Sequence, residues 1–174
     1  MHGIRNCGVF CQVIQTQNTS GLQMTTLNEI LDRQSHEKYA TDAGVLMHKK
    51  MQHVVIDNGI EQGDVALISK IKNNPEISRF FNRAAKTEVP LVGMISGKFV
   101  SRRIDRLCVD DERKHIDIID YKTDVNHDTF YTMYVAQVRE YVALLGMVYP
   151  EYKIDAYILW THDFSLEKIC SKQV

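Results

Sequence analysis

The sequence predicts an α/β domain in which a mixed central sheet is flanked by helices. Residues 88–121 fall into three runs of strand-like alternation separated by short polar turns. A longer stretch, at about 130–147, has apolar residues at helical spacing, and an apolar strand-like run at 154–160 follows it. Residues 44–58 supply a helix before the strands. The predicted order of core elements is therefore α-β-β-β-α-β.

The length and composition indicate one domain. A chain of 174 residues can build a single core and is short for two domains of typical size. Residues 1–35 lack sustained periodicity and are rich in Gln, Asn, Thr and Ser, so we predict an N-terminal arm or linker there and a single domain over 36–174. No apolar run approaches the roughly eighteen residues of a membrane span, and the first residues resemble no signal or transit peptide. We therefore expect a cytoplasmic protein without membrane contact.

The N-terminal part of the predicted domain is helical. In the helix 44–58, His48 falls on a largely apolar face and so is predicted to point inward. Such a histidine is ordinarily a core residue held by a backbone carbonyl, and His53 lies about 140° further around the helix, too far to form a zinc pair with it. Two more helices, at 64–73 and 76–85, are predicted around a proline that starts the second of them.

The second and third predicted strands carry the clearest chemical pattern. Asp120 and Lys122 are separated by one residue of an extended strand, so both side chains project from the same face, roughly 7 Å apart. The short charged turn at 110–114 folds the two strands into a hairpin and brings Asp105 beside this pair. Taken singly, such aspartates often cap turns and such a lysine is often a solvated edge residue. The apolar Ile118-Ile119 run that delivers them favours a functional site instead.

A basic strip adjoins these acids. Lys98, Arg102, Arg103 and Arg106 stand against Asp105 alone, whereas the net charge of the chain is −1. Cations beside a carboxylate cluster suit the positioning of a phosphate backbone, and we predict nucleic-acid contacts from the three arginines. The alternative is an ordinary solvated strand face.

Gln137 and Tyr141 lie four residues apart on the long helix and so share a face. They can hold a phosphate, a base or the catalytic strand, and both are predicted to bind nucleic acid. The alternative is that this face packs on the sheet, with Tyr141 filling the core.

Six short motifs in this order resemble the RecB/AddA branch of the PD-(D/E)XK nucleases, closest to the AddA-type nuclease domain, over about two-thirds of the chain. The matching segments are Gly44-Val45-Leu46-Met47-His48, Glu88-Val89-Pro90-Leu91, Gly97 with Ile104-Asp105-Arg106-Leu107, Asp120-Tyr121-Lys122-Thr123, Gln137-Val138-Arg139-Glu140-Tyr141 and Ala156-Tyr157-Ile158-Leu159-Trp160-Thr161. Isoleucine instead of proline precedes Asp105, and the acidic position before X-Lys is aspartate; both departures are common within the branch.

The resemblance implies a restriction-endonuclease-like core and a metal-dependent nuclease or exonuclease, a hydrolase that cuts nucleic acid without strong sequence preference, with DNA as the first expected substrate and RNA as the second. It implies service in DNA repair, recombination or nucleic-acid degradation, with a separate helicase subunit as one potential partner. The alternative function is a non-catalytic nucleic-acid or protein-binding module of the same fold within a helicase-nuclease complex.

The resemblance also implies roles for individual residues. Asp105, Asp120, the backbone carbonyl of Tyr121 and His48 would bind Mg²⁺ or Mn²⁺, while Lys122 would orient the attacking water. Glu88 would help position the nucleophile or carry a second metal through water.

Other cofactors are not expected. Some relatives in this superfamily bind an iron–sulfur cluster through one cysteine before the core and three after it, but here only Cys170 follows the core. The segment 93–99 is one residue short of a phosphate-binding loop and lacks its Ser or Thr, so no ATP site is predicted.

Overall fold

The structure, a computed structural model, describes residues 42–125 and 130–174. The predicted arm at 1–35 lies outside the described residues. The elements, in chain order, are α1 (Asp42–Gln52), β1 (Val55–Asp57), β2 (Ile60–Gln62), α2 (Val65–Lys72), α3 (Pro75–Ser78), β3 (Lys86–Ile95), β4 (Lys98–Asp110), β5 (His115–Lys122), α4 (Tyr131–Val148), β6 (Lys153–Trp160) and β7 (Ser165–Lys172).

The main sheet has five strands in the order β3-β4-β5-β6-β7. All neighbouring pairs are antiparallel except β5 and β6, which run parallel and are connected through α4. Strands β1 and β2 form a separate antiparallel hairpin. The result is a mixed α/β architecture with the predicted order of core elements. No helix in the described part of the chain is long and apolar enough to cross a membrane.

Helices cover both faces of the sheet and divide the core into two layers. On one face α4 contributes Val138, Tyr141 and Leu144 to a core shared with the strands. On the other face the sheet packs against α1, α2 and α3 through residues such as Met51, Ile71 and Ile77. The buried apolar side chains of both layers are the main source of stabilisation.

Three elements differ from the sequence-based prediction. The helix predicted to reach residue 58 ends at Gln52, because Asn58 and Gly59 both have positive φ (47° and 83°) and form the turn of the β1–β2 hairpin. The second short helix ends at Ser78 rather than at residue 85. The strand β7 was not predicted, because its residues are half-buried or exposed and lack a strong apolar pattern.

The alternation of side chains along β4 is broken at Asp105. Ile104 and Leu107 both pack in the α4-side core although they are three residues apart, while Arg106 points to the opposite layer. In the facing strand Glu88 has a φ of 54°, and the pairing with β3 skips this position. Asp105 is therefore placed where the two layers meet and can contact groups from both.

Candidate active site

Asp105 and Asp120 lie side by side on neighbouring strands. Arg106 pairs with Ile119 in the antiparallel register, and extending this register by one residue places Asp105 opposite Asp120. Both are buried, with 8% and 2% of their surface exposed. Burial raises the pKa of Asp105, and the charge of Asp120 raises it further, although His48 acts in the opposite direction. Two carboxylates kept close in a buried site form a strong attractor for a cation.

Asp105 is held by groups from two elements. Its Oδ2 accepts a hydrogen bond from the backbone N–H of Tyr121 at 2.6 Å, and its Oδ1 lies 3.4 Å from Nδ1 of His48 on α1. The His48 ring also packs edge-on against the Tyr121 ring, with centroids 5.7 Å apart. Burial alone would lower the pKa of His48, but the hydrogen bond and charge of Asp105 and the charge of Asp120 outweigh it and raise the pKa. The imidazole is thus attracted towards the two carboxylates, and its Nδ1 faces Asp105.

Asp120 belongs to a closed ring of four side chains. Lys122 Nζ lies 2.7 Å from Asp120 Oδ2 and donates a hydrogen bond to Gln137 Oε1 at 3.1 Å. Gln137 Nε2 in turn donates to the Tyr141 hydroxyl at 2.6 Å, and that hydroxyl lies 3.0 Å from Asp120 Oδ1. The same hydroxyl is 3.0 Å from the carbonyl oxygen of Arg103, so its single proton serves one of these two oxygens at a time. The ring fixes the relative positions of the acid and the lysine.

The environment keeps Tyr141 protonated and Lys122 in place. Burial and the charges of Asp120 and Asp105 hold the pKa of Tyr141 well above its usual value, so the hydroxyl remains a donor. The Lys122 ammonium lies 4.3 Å from the centroid of the Tyr134 ring, and Tyr134 donates a hydrogen bond to Asp124 at 2.6 Å. Tyr134 was not among the predicted site residues, although its position three residues before Gln137 on α4 was a usable signal.

The donors of this cluster suit Mg²⁺ or Mn²⁺, which favour carboxylate oxygens and, for Mn²⁺, tolerate an imidazole. Asp120 Oδ2 is buried and, among the described residues, accepts no hydrogen bond of good geometry, although the Lys122 ammonium is 2.7 Å away. The lysine still stabilises this oxygen, because electrostatic attraction between the Lys122 ammonium and the carboxylate does not depend on hydrogen-bond alignment. This oxygen therefore retains capacity for a metal, which would share Asp120 with the lysine.

The potential ligand atoms of His48, Asp105 and Asp120 do not converge around one point. Among the described residues, three His, Cys, Asp or Glu ligand atoms come within 4.8 Å of one another only at His115, Asp117 and Asp155. Metal binding between His48, Asp105 and Asp120 would therefore require these side chains to close in. The backbone of Tyr121, the remaining predicted ligand, adjoins Asp105 through its N–H.

The predicted nucleic-acid contacts have different positions. Arg103 is exposed (69% of its side chain) and forms an ion pair with Glu88 at 3.0 Å. Arg102 is half-buried against Glu140 at 2.8 Å. Glu88 thus faces Arg103, and its role near the nucleophile stays a prediction. Gln137 is half-buried between Lys122 and Tyr141.

Two of these expectations are corrected by burial. Arg106 is 1% exposed and donates hydrogen bonds to the Tyr121 hydroxyl and to the carbonyls of Met51 and Val54. Its guanidinium is therefore used inside the protein and is not placed to contact nucleic acid. Tyr141 is fully buried, and its hydroxyl is turned towards Asp120 rather than towards a bound strand.

No protein-family model and no curated protein matches the chain. Among solved structures, the chain is similar to the crystal structure of SSO0001, with 19% identity, a TM-score of 0.40, and coverage of 82% of this chain and 56% of that one. It is also similar to a candidate exonuclease from Eubacterium rectale, with 12% identity, a TM-score of 0.40, and coverage of 86% and 61%. The chain thus spans less than two-thirds of either protein.

Proposed function

We propose that this chain is a metal-dependent nuclease with a PD-(D/E)XK core of the RecB/AddA type, and that it hydrolyses phosphodiester bonds beside Asp105 and Asp120. The observation that carries the proposal is the pair of buried carboxylates on neighbouring strands, with the Lys122 ammonium held against one of them. The order of the core elements supports it. A scaffold has no need to bury two adjacent acids and supply a cation to them.

Each side chain of the site has a chemical task. Asp105 and Asp120 would hold Mg²⁺ or Mn²⁺, with His48 and the Tyr121 carbonyl as further ligands. The bound ion would polarise the scissile phosphate and lower the pKa of a water molecule. Lys122 would orient the attacking water and stabilise negative charge that develops on the phosphate.

The remaining polar groups act on these residues. Gln137 fixes the Lys122 ammonium through its amide oxygen, and Tyr141 fixes Asp120 through its hydroxyl. Both are positioning residues, because their described hydrogen bonds are made to other protein groups and orient Lys122 and Asp120. Enzyme sites of this kind gain rate by holding charged groups before the substrate arrives.

The substrate contact with the best access is Arg103. It precedes Asp105 by two residues, and its ion pair with Glu88 is at the surface, where such pairs contribute little stability. A substrate phosphate can therefore take the place of Glu88 at the guanidinium. Phosphate contacts carry no base information, so we expect cutting with little sequence preference. DNA is the first substrate to test, and RNA is the second. The expected roles are repair, recombination or nucleic-acid degradation, in which a separate helicase would be a partner.

The proposal is tested with end-labelled single- and double-stranded DNA and with RNA, in Mg²⁺, Mn²⁺ or EDTA. Wild type should cut with metal and stop in EDTA, and Asp105→Asn and Asp120→Asn should each lose the activity. Asp110→Asn is the matched control, since Asp110 caps the β4–β5 turn through the Arg113 N–H.

Two results would overturn the proposal. Folded wild type that cuts none of these substrates would favour the non-catalytic binding module. Equal cutting by the two site variants and the wild type would place the activity elsewhere.

A further inference from the structure

A second cluster of metal-ligating side chains lies at the starts of β5 and β6. His115 and Asp117 alternate along β5, and Asp155 on β6 is the register partner of Asp117. All three therefore project from one face of the parallel pair. Five residues of strand, roughly 17 Å, separate His115 from Asp120. The cluster is thus distinct from the candidate nuclease site.

The ligand atoms are spaced as a bound ion would require. Nε2 of His115 lies 3.5 Å from Asp117 Oδ1 and 3.3 Å from Asp155 Oδ2, and all three atoms fall within 4.8 Å of one another. In a tetrahedral site with metal–ligand bonds of about 2.0–2.1 Å, ligand atoms are about 3.3–3.4 Å apart. The two separations measured from His115 match that geometry, and they are long for hydrogen bonds.

Within the described part of the chain, these atoms also lack hydrogen bonds to other groups. His115 Nε2 and Asp117 Oδ1 are buried and have no hydrogen-bond partner there. The Asp155 side chain is only 5% exposed; its Oδ1 accepts a hydrogen bond from Ser171 at 2.6 Å, whereas no hydrogen bond from a described residue reaches Oδ2. Buried polar atoms are nearly always satisfied in proteins, so two buried atoms without a hydrogen bond, close to a third ligand atom on Asp155, call for a shared partner.

Neighbouring groups hold the other oxygen of each carboxylate. Lys168 lies 3.0 Å from Asp155 Oδ1, and Arg79 lies 3.6 Å from Asp117 Oδ2. Such contacts orient the carboxylates so that their remaining oxygens face His115. The competing arrangement is an ion-pair network in which these cations, with Lys153 at 3.6 Å from Asp155 Oδ2, neutralise the acids without a metal. The lysine and arginine side chains are 41–49% exposed and can turn into solvent when an ion enters.

We propose that His115, Asp117 and Asp155 bind a divalent transition-metal ion, with Zn²⁺ as the preferred ion. One imidazole and two carboxylates are ordinary zinc ligands, and three protein ligands leave a fourth position for water. His115 and Asp117 also line an open cavity of about 630 Å³, which gives that position access to solvent. The ion would join the starts of β5 and β6.

The test is zinc binding to the full chain in a background that disables the candidate nuclease site, Asp105→Asn/Asp120→Asn. Metal content after gel filtration and the Zn²⁺-dependent shift in melting temperature are measured with and without His115→Gln. His162→Gln, in the turn after β6, is the matched control. Zinc held elsewhere, including by residues outside the described ranges, is common to all variants and cancels in the comparison.

We expect the background and the His162→Gln control to bind one Zn²⁺ more per chain than His115→Gln, and only they should show the additional rise in melting temperature. The same zinc content in the His115→Gln variant, or no zinc in any variant, would overturn the proposal and leave the ion-pair network. If His115→Gln fails to fold by circular dichroism, Asp117→Asn replaces it, with the same loss expected and the same contradiction if zinc is retained.

Discussion

The buried hydroxyl of Tyr141 contacts Asp120 and two neighbouring polar groups. Replacing it in Tyr141→Phe removes the acceptor of the Gln137 amide and the one donor that the Arg103 carbonyl and an Asp120 oxygen share. We expect the free energy of unfolding to fall by about 1–3 kcal/mol, the cost of leaving buried polar groups unpaired. Urea denaturation measures it.

Tyr152→Phe is the control for Tyr141, because the exposed Tyr152 hydroxyl donates to Asp111 at 2.7 Å and its loss can be made good by water. Its stability should be nearly unchanged. Equal losses in the two variants would show that the network behind Asp120 contributes nothing beyond a surface hydrogen bond.

Cys108 should be an unreactive thiol. Burial raises its pKa to about 11, although the nearby Arg106 charge acts in the opposite direction. The reactive thiolate is then favoured only as the pH rises through this value, so at pH 8 about one thiol in a thousand is ionised, against roughly a quarter for an ordinary cysteine. Alkylation by iodoacetamide, followed at this residue by mass spectrometry, should be at least a hundredfold slower in the folded chain than in urea. Similar rates in both states would contradict the raised pKa of this thiol.

At the scale of residues, the sequence predicts side-chain direction better than side-chain role. Period-two alternation places Asp120 and Lys122 on one face, and the structure joins them at 2.7 Å. Arg106 and Tyr141 were misjudged because a charged or hydroxyl-bearing residue beside a motif suggests substrate contact. Their use depends on which carbonyls and carboxylates the tertiary fold brings to them, and local sequence does not contain that information.

At the scale of elements, Arg106 attaches α1 to the sheet. It donates to the carbonyls of Met51 and Val54, at and just beyond the C-terminal end of the helix, and its guanidinium stacks 4.1 Å from the centroid of the Phe81 ring. Arg106→Met keeps an unbranched apolar stem but removes every donor. We expect a loss of at least about 2 kcal/mol in the free energy of unfolding, since the Val54 carbonyl and the buried Tyr121 hydroxyl lose this donor and the Met51 carbonyl keeps only the Val54 N–H.

The control for this change is Arg103→Met on the same strand, because the Arg103 side chain is largely exposed and its ion pair is at the surface. Its effect on stability should stay within about 0.5 kcal/mol. A larger loss for the exposed arginine than for the buried one would contradict the assignment of Arg106 to the α1–β4 junction.

Gly93 allows β3 and α4 to approach closely. A Cβ added there would lie 2.7 Å from Leu144 Cδ2, well inside van der Waals contact. Gly93→Ala should therefore destabilise the fold by about 1–3 kcal/mol, as overpacked cores do. Shortening the neighbour in Gly93→Ala/Leu144→Val should cost less than the sum of the single changes. Strict additivity in a thermal or urea double-mutant cycle would show that the two residues do not meet.

The main elements of the sheet follow from sequence, and its irregularities do not. The three strands predicted within residues 88–121 are observed as β3, β4 and β5 between Lys86 and Lys122, because apolar alternation and a charged turn mark them. The hairpin at Asn58-Gly59 carried a turn signal that the apparent helical period concealed. The break in alternation at Asp105 depends on β3, where the pairing skips Glu88, a position distant in sequence.

At the scale of the whole molecule, the described parts of the fold bring three separate segments to one site. His48 comes from α1, Asp105, Asp120 and Lys122 from the β4–β5 hairpin, and Gln137 from α4. The sequence predicts that these elements exist, and the family resemblance predicts that they meet. Spacing alone predicts only the hairpin residues, since the placement of α1 and α4 on opposite faces of the sheet results from packing of the two core layers.

The most direct test of the central claim separates the lysine from the metal ligands. Single-turnover cleavage of labelled DNA and Mn²⁺ affinity are measured for wild type, Lys122→Ala and the control Lys72→Ala, whose ammonium pairs with Glu61 away from the site. Loss of one preorganised charge typically costs 10²–10³-fold in rate. We therefore predict that Lys122→Ala cuts at least about a hundredfold more slowly while binding Mn²⁺ at least as well as wild type, and that Lys72→Ala matches wild type in both measurements. Cleavage by Lys122→Ala at the wild-type rate in saturating Mn²⁺ would contradict the assignment of this cluster as a nuclease active site.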